Sequence, residues 1–391
     1  MNVVKTIFYI FGAILFSSCT QQNKEKFIIV KNSLNTERSF EVVELTKELL
    51  EVEELTSVGI YDEVSKKLVL TQLVDTNSDG IMDQLLFQPK INPNSEKRYK
   101  LVKITNQKIP KSIEYCFSRF VPERTDDYAW ENDKVAFRVY GPTAQKMIEN
   151  NIPGGTLSSG VDAWLKKVEY PIINKWYKKT TNGTGSYHED TGEGLDNFHV
   201  GISRGVGGIA VKNEGKYYFS KNFTEWKTIT TGPLRTSFYL KYEDWDVNGN
   251  KVQESRIITL DYGNNFSKFN VSFKGSDTIA AGLTLHEKDG KVTNSKSNGW
   301  VSYYQPHGKS EIGTAIIAPR AYLINFETYN TNIKDLSNAY CNLNVINNNI
   351  VYYAGFGWKE SKQFKNQQEW ESYLNSFSKK INNPMTVLLD K

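Results

Sequence analysis

Histidine is the side chain best suited to moving a proton near neutral pH, and two of the four in this chain share one polar run, Tyr187 to His199. Carboxylates beside an imidazole orient and tune it, so His188 reads as a general base with Asp190 or Glu193 as its partner. His199, between Phe198 and Val200, reads equally as a core residue. The run leads into Ser203-Arg204-Gly205, where a guanidinium can grip a carboxylate with two bonds or serve a structural ion pair. His286 and His307 follow strand-like segments, from which either can reach a cleft. The spacing of His188, Asp190 and His199 is not diagnostic of a transition metal.

A second dense run, Arg119 to Asp133, contains Arg124, Asp127, Trp130 and Glu131 and leads into a strand carrying Arg138 and Tyr140. Its bland reading is a solvated charged loop. Solvated loops seldom mix Trp and Arg so closely with acids, which favours a site-lining role. Trp130 and Trp164 are the expected stacking platforms for sugar rings, although aromatic residues, 13% of the chain, also build β-sandwich cores. Elsewhere, Asp75, Asn77, Asp79, Ile81 and Asp83 follow the alternate spacing of an oxygen-ligand calcium loop. The twelfth position is Leu86 rather than a bidentate Glu, so a structural calcium and a bare hairpin turn both remain open.

The elements that position these residues are mostly strands. Alternating or β-branched segments at Phe27–Val30, Phe40–Leu45, Lys67–Leu70, Gln84–Phe87 and Tyr99–Val102 predict a small β-sandwich over 27–110. From 115 to 391 further strands (Val135–Tyr140, Ser237–Leu240, Ser255–Leu260, Phe269–Phe273) predict a large domain that carries the site, with a single good helix over Asn366–Ser378. The fold class is all-β and mainly antiparallel.

At the N-terminus, Lys5, an apolar run and Phe16-Ser17-Ser18-Cys19 have the order of an export signal ending in a lipobox-like cysteine. Residues 1–19 are therefore expected to be a lipoprotein signal with Cys19 lipidated, and 20–26 a tether, placing the protein in the cell envelope on a lipid anchor. Cys116 and Cys341 lack metal-type spacing; a disulfide and two buried thiols are both open. With 48 basic against 44 acidic residues, no nucleic-acid partner is implied. Zinc-protease, serine-hydrolase and nucleotide-binding motifs are absent in any supporting context.

Taken together, Arg124 to Asp133, Tyr187-His188 through Asp196, Ser203-Arg204-Gly205 and Tyr353-Ala354-Gly355-Phe356-Gly357-Trp358 resemble a family of lipoproteins from polysaccharide-degrading Gram-negative bacteria. That family was long known only as a domain of unknown function in polysaccharide-utilisation loci. Its member with an assigned activity is similar to an oligosaccharide dehydratase acting on ulvan fragments. The resemblance spans most of residues 27–390 and implies a galactose-mutarotase-like β-supersandwich after the small sandwich. It also implies loss of water from the non-reducing-end uronic acid of an oligosaccharide, leaving a 4,5-unsaturated end. No catalytic cofactor is expected.

That elimination needs a neutralised carboxylate, a base for the C5 proton and an acid for the 4-hydroxyl. Chemistry assigns these to Arg204 (with Arg124), His188, and Tyr140 or Tyr187. Asp127, Trp130, Glu131, Trp164, Asp190, Glu193 and His286 complete the expected substrate contacts. The rivals are a polysaccharide lyase, a glycoside hydrolase using two of Asp127, Glu131, Asp190 and Glu193, and a non-catalytic sugar-binding lipoprotein.

Overall fold

The computed structural model describes residues 25–104 and 110–390, so Cys19 and residues 20–24 of the tether lie outside the described residues. The architecture is all-β and antiparallel, as expected. A nine-stranded sheet runs in the order Phe223–Thr230, Arg235–Tyr242, Asn250–Asp261, Phe266–Lys274, Asn349–Trp358, Ser310–Ile317, Trp300–His307 and Lys291–Ser295, with Trp245–Val247 paired to Asn250–Asp261. It packs against a five-stranded sheet of Lys216–Tyr218, Val206–Asn213, Thr278–Thr284, Asn338–Asn344 and Leu323–Tyr329. Alternation builds the layer between them. Ile258, Phe269, Val271 and Phe273 from the first sheet share one core with Ile209, Ala281, Leu283 and Leu343 from the second.

The N-terminal sandwich pairs the sheet Phe27–Asn32, Ser95–Lys103, Val58–Asp62 and Lys67–Leu68 with the short sheet Val43–Leu45, Gln84–Phe87 and Thr71–Val74. Ile28, Val30, Leu45, Ile60, Phe87 and Tyr99 fill it. Two details depart from the sequence reading. The strand expected from Phe40 begins only at Val43, because Phe40 has a left-handed backbone (φ 58°) and turns its ring toward Tyr262. The first sheet also takes an edge strand from beyond the expected boundary: Thr386–Asp390 pairs with Phe27–Asn32, Phe27 opposite Asp390.

The expected C-terminal helix spans Gln367–Asn382, its first turn capped by Asn366, which accepts from the Glu369 N–H at 3.0 Å. Trp370 and Leu374 lie against Phe266, Trp300 and Ile317 on the outer face of the nine-stranded sheet. Helices at Pro142–Glu149 and Ile173–Thr181 were not anticipated. Cys116 and Cys341 are two separate buried thiols.

Candidate functional site

A third large sheet carries the polar groups: Gly194–Leu195, Asp162–Lys166, Ala136–Val139, Asp127–Glu131 and Phe117–Val121. Its two faces differ because side chains alternate along each strand. Tyr128, Trp130, Phe137, Val139, Ala163 and Leu165 point into the main core. Asp127, Arg138 and Asp162 fall on the opposite face, where the register sets Arg138 across from Asp162. The helix Ile173–Thr181 covers part of that face through Trp176 and Tyr177, which join Trp164 and Tyr187 in a small core.

Arg138 is the hub. Its guanidinium reaches Asp162 at 2.6 Å, Asp196 at 2.9 Å and Asp127 at 3.6 Å, with the Tyr140 and Tyr187 hydroxyls each at 3.4 Å. Burial opposes its charge, but Tyr140, Asp196, Asp162 and Asp127 together outweigh this and hold it firmly protonated. Three carboxylates around one cation cannot all ionise cheaply in a dry site. Burial pushes Asp127 up to about 6 against the pull of Arg138 and Arg124, and burial with the neighbouring Asp196 raises Asp162 as well. The second carboxylate oxygens of Asp127 and Asp162 are buried without a hydrogen-bond partner among the described residues. Tyr140 donates to Asp162 at 3.3 Å, and burial raises its hydroxyl well above the usual range.

This cluster backs a cleft of about 620 Å³, within the range of small-molecule sites. Arg138, Tyr140, His188, Asp196, Asn197, His199 and the turn through Ile202 line it. His188 stands at its rim, with an exposed imidazole whose Nδ1 lies 2.6 Å from the Asp196 carbonyl. A carbonyl only accepts, so Nδ1 carries a proton and, in the neutral ring, Nε2 is left as a basic nitrogen. The other three histidines gather beside it. His199 pairs with Asp335 at 3.0 Å, His286 bonds the His199 carbonyl at 2.7 Å, and His307 bonds the Asn197 side-chain oxygen at 2.9 Å. Burial, with His286 nearby, pushes His307 down to about 4, so it is neutral and donates through Nε2. That leaves the Asn197 amide N–H groups for other acceptors.

Several expected residues stand elsewhere. Arg204 is fully buried away from the cleft: it bonds Ser159 and the Ile209 and Ile202 carbonyls and lies over the Phe219 ring. Burial lowers its pKa to about 10, and it holds a turn rather than meeting a ligand. Trp130 is entirely buried, donates to Ser267 at 2.9 Å and stacks on Phe137; Trp164 is equally buried, beneath Arg138. Neither offers a face to a sugar. Glu131 pairs with Lys166 at 2.8 Å and accepts the Ile172 and Ile173 N–H groups, so it anchors a helix start. Asp190 pairs with Lys167, and Glu193 with Lys175 and Tyr170, so neither orients His188. Both ring nitrogens of His286 are used, on His199 and Gln305.

Tyr187 accepts from Arg124 at 2.9 Å and lies behind the cleft, while Tyr140 lines it. Arg138, Asp162, Asp196, Tyr177 and Asn197 were missed. The signal for Arg138 was its place between Phe137 and Val139, which puts it on the face away from the core.

In the loop where a structural calcium and a bare turn were both open, Asp75 accepts N–H bonds from Ser78, Asp79 and Gly80, and Asp83 accepts from Thr76. Among the described residues no group of three or more His, Cys, Asp or Glu is arranged to hold a metal ion.

The chain is 54% identical, over 99% of both lengths, to an uncharacterized protein P7 of Formosa agariphila. Its fold is similar to that of a protein in glycosyl hydrolase family 38 from Enterococcus faecalis, with a TM-score of 0.52 and 11% identity over 94% of this chain. It spans only 47% of that larger protein. A family model matches residues 30–387, and the chain therefore belongs to the family described as domain of unknown function DUF4861.

Proposed function

We propose that this protein is a carbohydrate-active carbon-oxygen lyase, a hydro-lyase that removes water from the non-reducing-end uronic acid of ulvan-type oligosaccharides. The observation that carries this reading is that His188 and Tyr140 line one cleft, the first with Nε2 uncommitted, the second with its hydroxyl held by Arg138 and Asp162. The fold shared with a glycosyl hydrolase family 38 protein supports the carbohydrate class.

In this reading His188 Nε2 takes the C5 proton, and the C–H electron pair becomes the C4–C5 double bond. The C4–O bond breaks, and the leaving oxygen takes the Tyr140 proton and departs as water. Asp162 Oδ2 accepts from Tyr140 and so orients its hydroxyl, which is reprotonated from solvent in the cleft that it lines. The Asn197 amide N–H groups replace Arg204 as the donors that hydrogen-bond the uronate and stabilise the charge that develops on it. Arg138 has its donors committed and acts as a positioning residue for Tyr140, Asp162 and Asp196.

Retaining or inverting hydrolysis needs two carboxylates flanking the bond. Among the described residues Asp196 is the one carboxylate lining the cleft, while Asp127 and Glu131 are fully buried, which favours elimination over hydrolysis. In the cell we place the protein on the envelope through a lipid on Cys19. Incubation with uronic-acid oligosaccharides tests the chemistry: loss of the mass of one water and growth of ultraviolet absorbance support it. Absorbance with shortened chains indicates a polysaccharide lyase, and no change in any oligosaccharide overturns the reading.

A further inference from the structure

Next to the cleft lies a second cavity of about 550 Å³, lined by His199, His286, Glu287, Lys288, Thr331, Asn332, Lys334, Asp335 and Ser337. His199 belongs to both walls. The divider is the His199–Asp335 pair, and the backbone is shaped to admit it. Gly201 has φ +53°, and a Cβ there would stand 2.0 Å from an Asp335 carboxylate oxygen and 2.9 Å from His199 Nε2.

The second cavity is built with unusual backbone. His286 (φ 32°), Lys288 (φ 60°) and Asp335 (φ 66°) all sit in or near the left-handed region, which side-chain-bearing residues adopt at a cost. Surrounding bonds hold them there: Gln305 to His286, His286 to the His199 carbonyl, Lys288 Nζ to the Thr331 carbonyl at 2.6 Å, and Ser337 to Thr331. These bonds also occupy both nitrogens of His286, which argues against a metal there. The side chains of Asn332 and Lys334 make no bond to another described residue, and both line the cavity. The lining has hydrogen-bonding groups of both kinds, one apolar side chain in Ile333 and no Phe, Tyr or Trp, a chemistry suited to sugar hydroxyls.

We propose that the binding site continues past His199 into this cavity, which holds the sugar next to the reacting one through its hydroxyls. Asn332 and Lys334 are its contacts, and the His199–Asp335 pair sets the spacing between the two rings. This rests on the carbohydrate reading above and adds where the second sugar is held and by which residues.

The test compares the methyl glycoside of the uronic acid, which lacks the second sugar, with the uronate disaccharide of the same series. In the wild type kcat/KM should rise with length, through KM. In the Asn332→Ala/Lys334→Ala double variant the disaccharide-to-glycoside ratio of kcat/KM should fall by about tenfold, the worth of a few lost hydrogen bonds. A folding defect would lower both substrates alike and leave the ratio intact. A ratio equal to that of the wild type, with circular dichroism unchanged, overturns the proposal. If no oligosaccharide is turned over, the elimination chemistry fails, yet calorimetric affinities for the same two lengths still decide the subsite. Length-dependent affinity that the double variant abolishes supports it, and affinity indifferent to length overturns it.

Discussion

Arg138 and Asp162 face each other directly across two antiparallel strands, and two nitrogens of the guanidinium converge on one carboxylate oxygen at 3.0 and 2.6 Å. Removing one partner of a buried, hydrogen-bonded charge cluster leaves the other uncompensated. Arg138→Ala should therefore lower the unfolding free energy by about 3–5 kcal/mol in urea titrations. A loss below about 1 kcal/mol would mean that the cluster is hydrated and the site open.

His188 combines an exposed ring with a fixed tautomer, so its removal should spare the fold and damage the chemistry. His188→Ala is expected to keep the wild-type melting temperature and its affinity for oligosaccharide while losing on the order of a hundredfold in kcat. Near-normal turnover in this variant removes His188 from the mechanism.

Asp127 makes stability depend on pH in a direction unusual for a carboxylate. Burial raises its folded pKa to about 6, above the 3.8 of an unperturbed Asp, so the folded state binds the proton more tightly. Its contribution is complete below the unfolded value and is lost as pH rises through about 6. Melting temperatures measured across that window should fall less steeply for Asp127→Asn than for the wild type. Parallel curves would show that Asp127 does not titrate there.

The loop at Asp75–Asp83 separates two readings cleanly. A structural calcium predicts a higher melting temperature in calcium than in chelator, with Asp79→Ala erasing the difference. A melting temperature indifferent to both, with Asp75→Ala destabilising through its three lost N–H bonds, defines a self-sufficient turn.

For the lipid anchor, Cys19→Ala should move the protein from the membrane fraction to the soluble fraction of cells with its melting temperature unchanged. Retention in membranes would refute lipidation at this residue.

Strand patterning made the fold class readable, since a period of two is a local property and survives without knowledge of partners. The same rule, applied at one-residue resolution, would have improved the site. In Asp127-Tyr128-Ala129-Trp130-Glu131 the aromatic pair and the acids occupy opposite faces, so Trp130 could not share a surface with Asp127. Composition favoured Trp130 because a Trp amid charges looks exposed. Arg204 and Arg138 were harder to tell apart. Each lies in a buried stretch, and only tertiary pairing shows that one meets main-chain carbonyls and the other three carboxylates. His286 and His307 join the His188–His199 run from segments remote in sequence, and that gathering left no local trace.

The pairing of Thr386–Asp390 with Phe27–Asn32 has a consequence for how the molecule is made. During synthesis the N-terminal sandwich emerges first, but its edge remains open until Thr386–Asp390 has left the ribosome. Phe27–Asn32 meanwhile presents an unpaired row of N–H and C=O groups to any passing strand. A nascent chain truncated before Thr386 would keep that edge bare and should be prone to aggregation. Thr386–Asp390 thus acts as a quality seal, closing the first-made sandwich only after the large sheets that precede this strand have been produced.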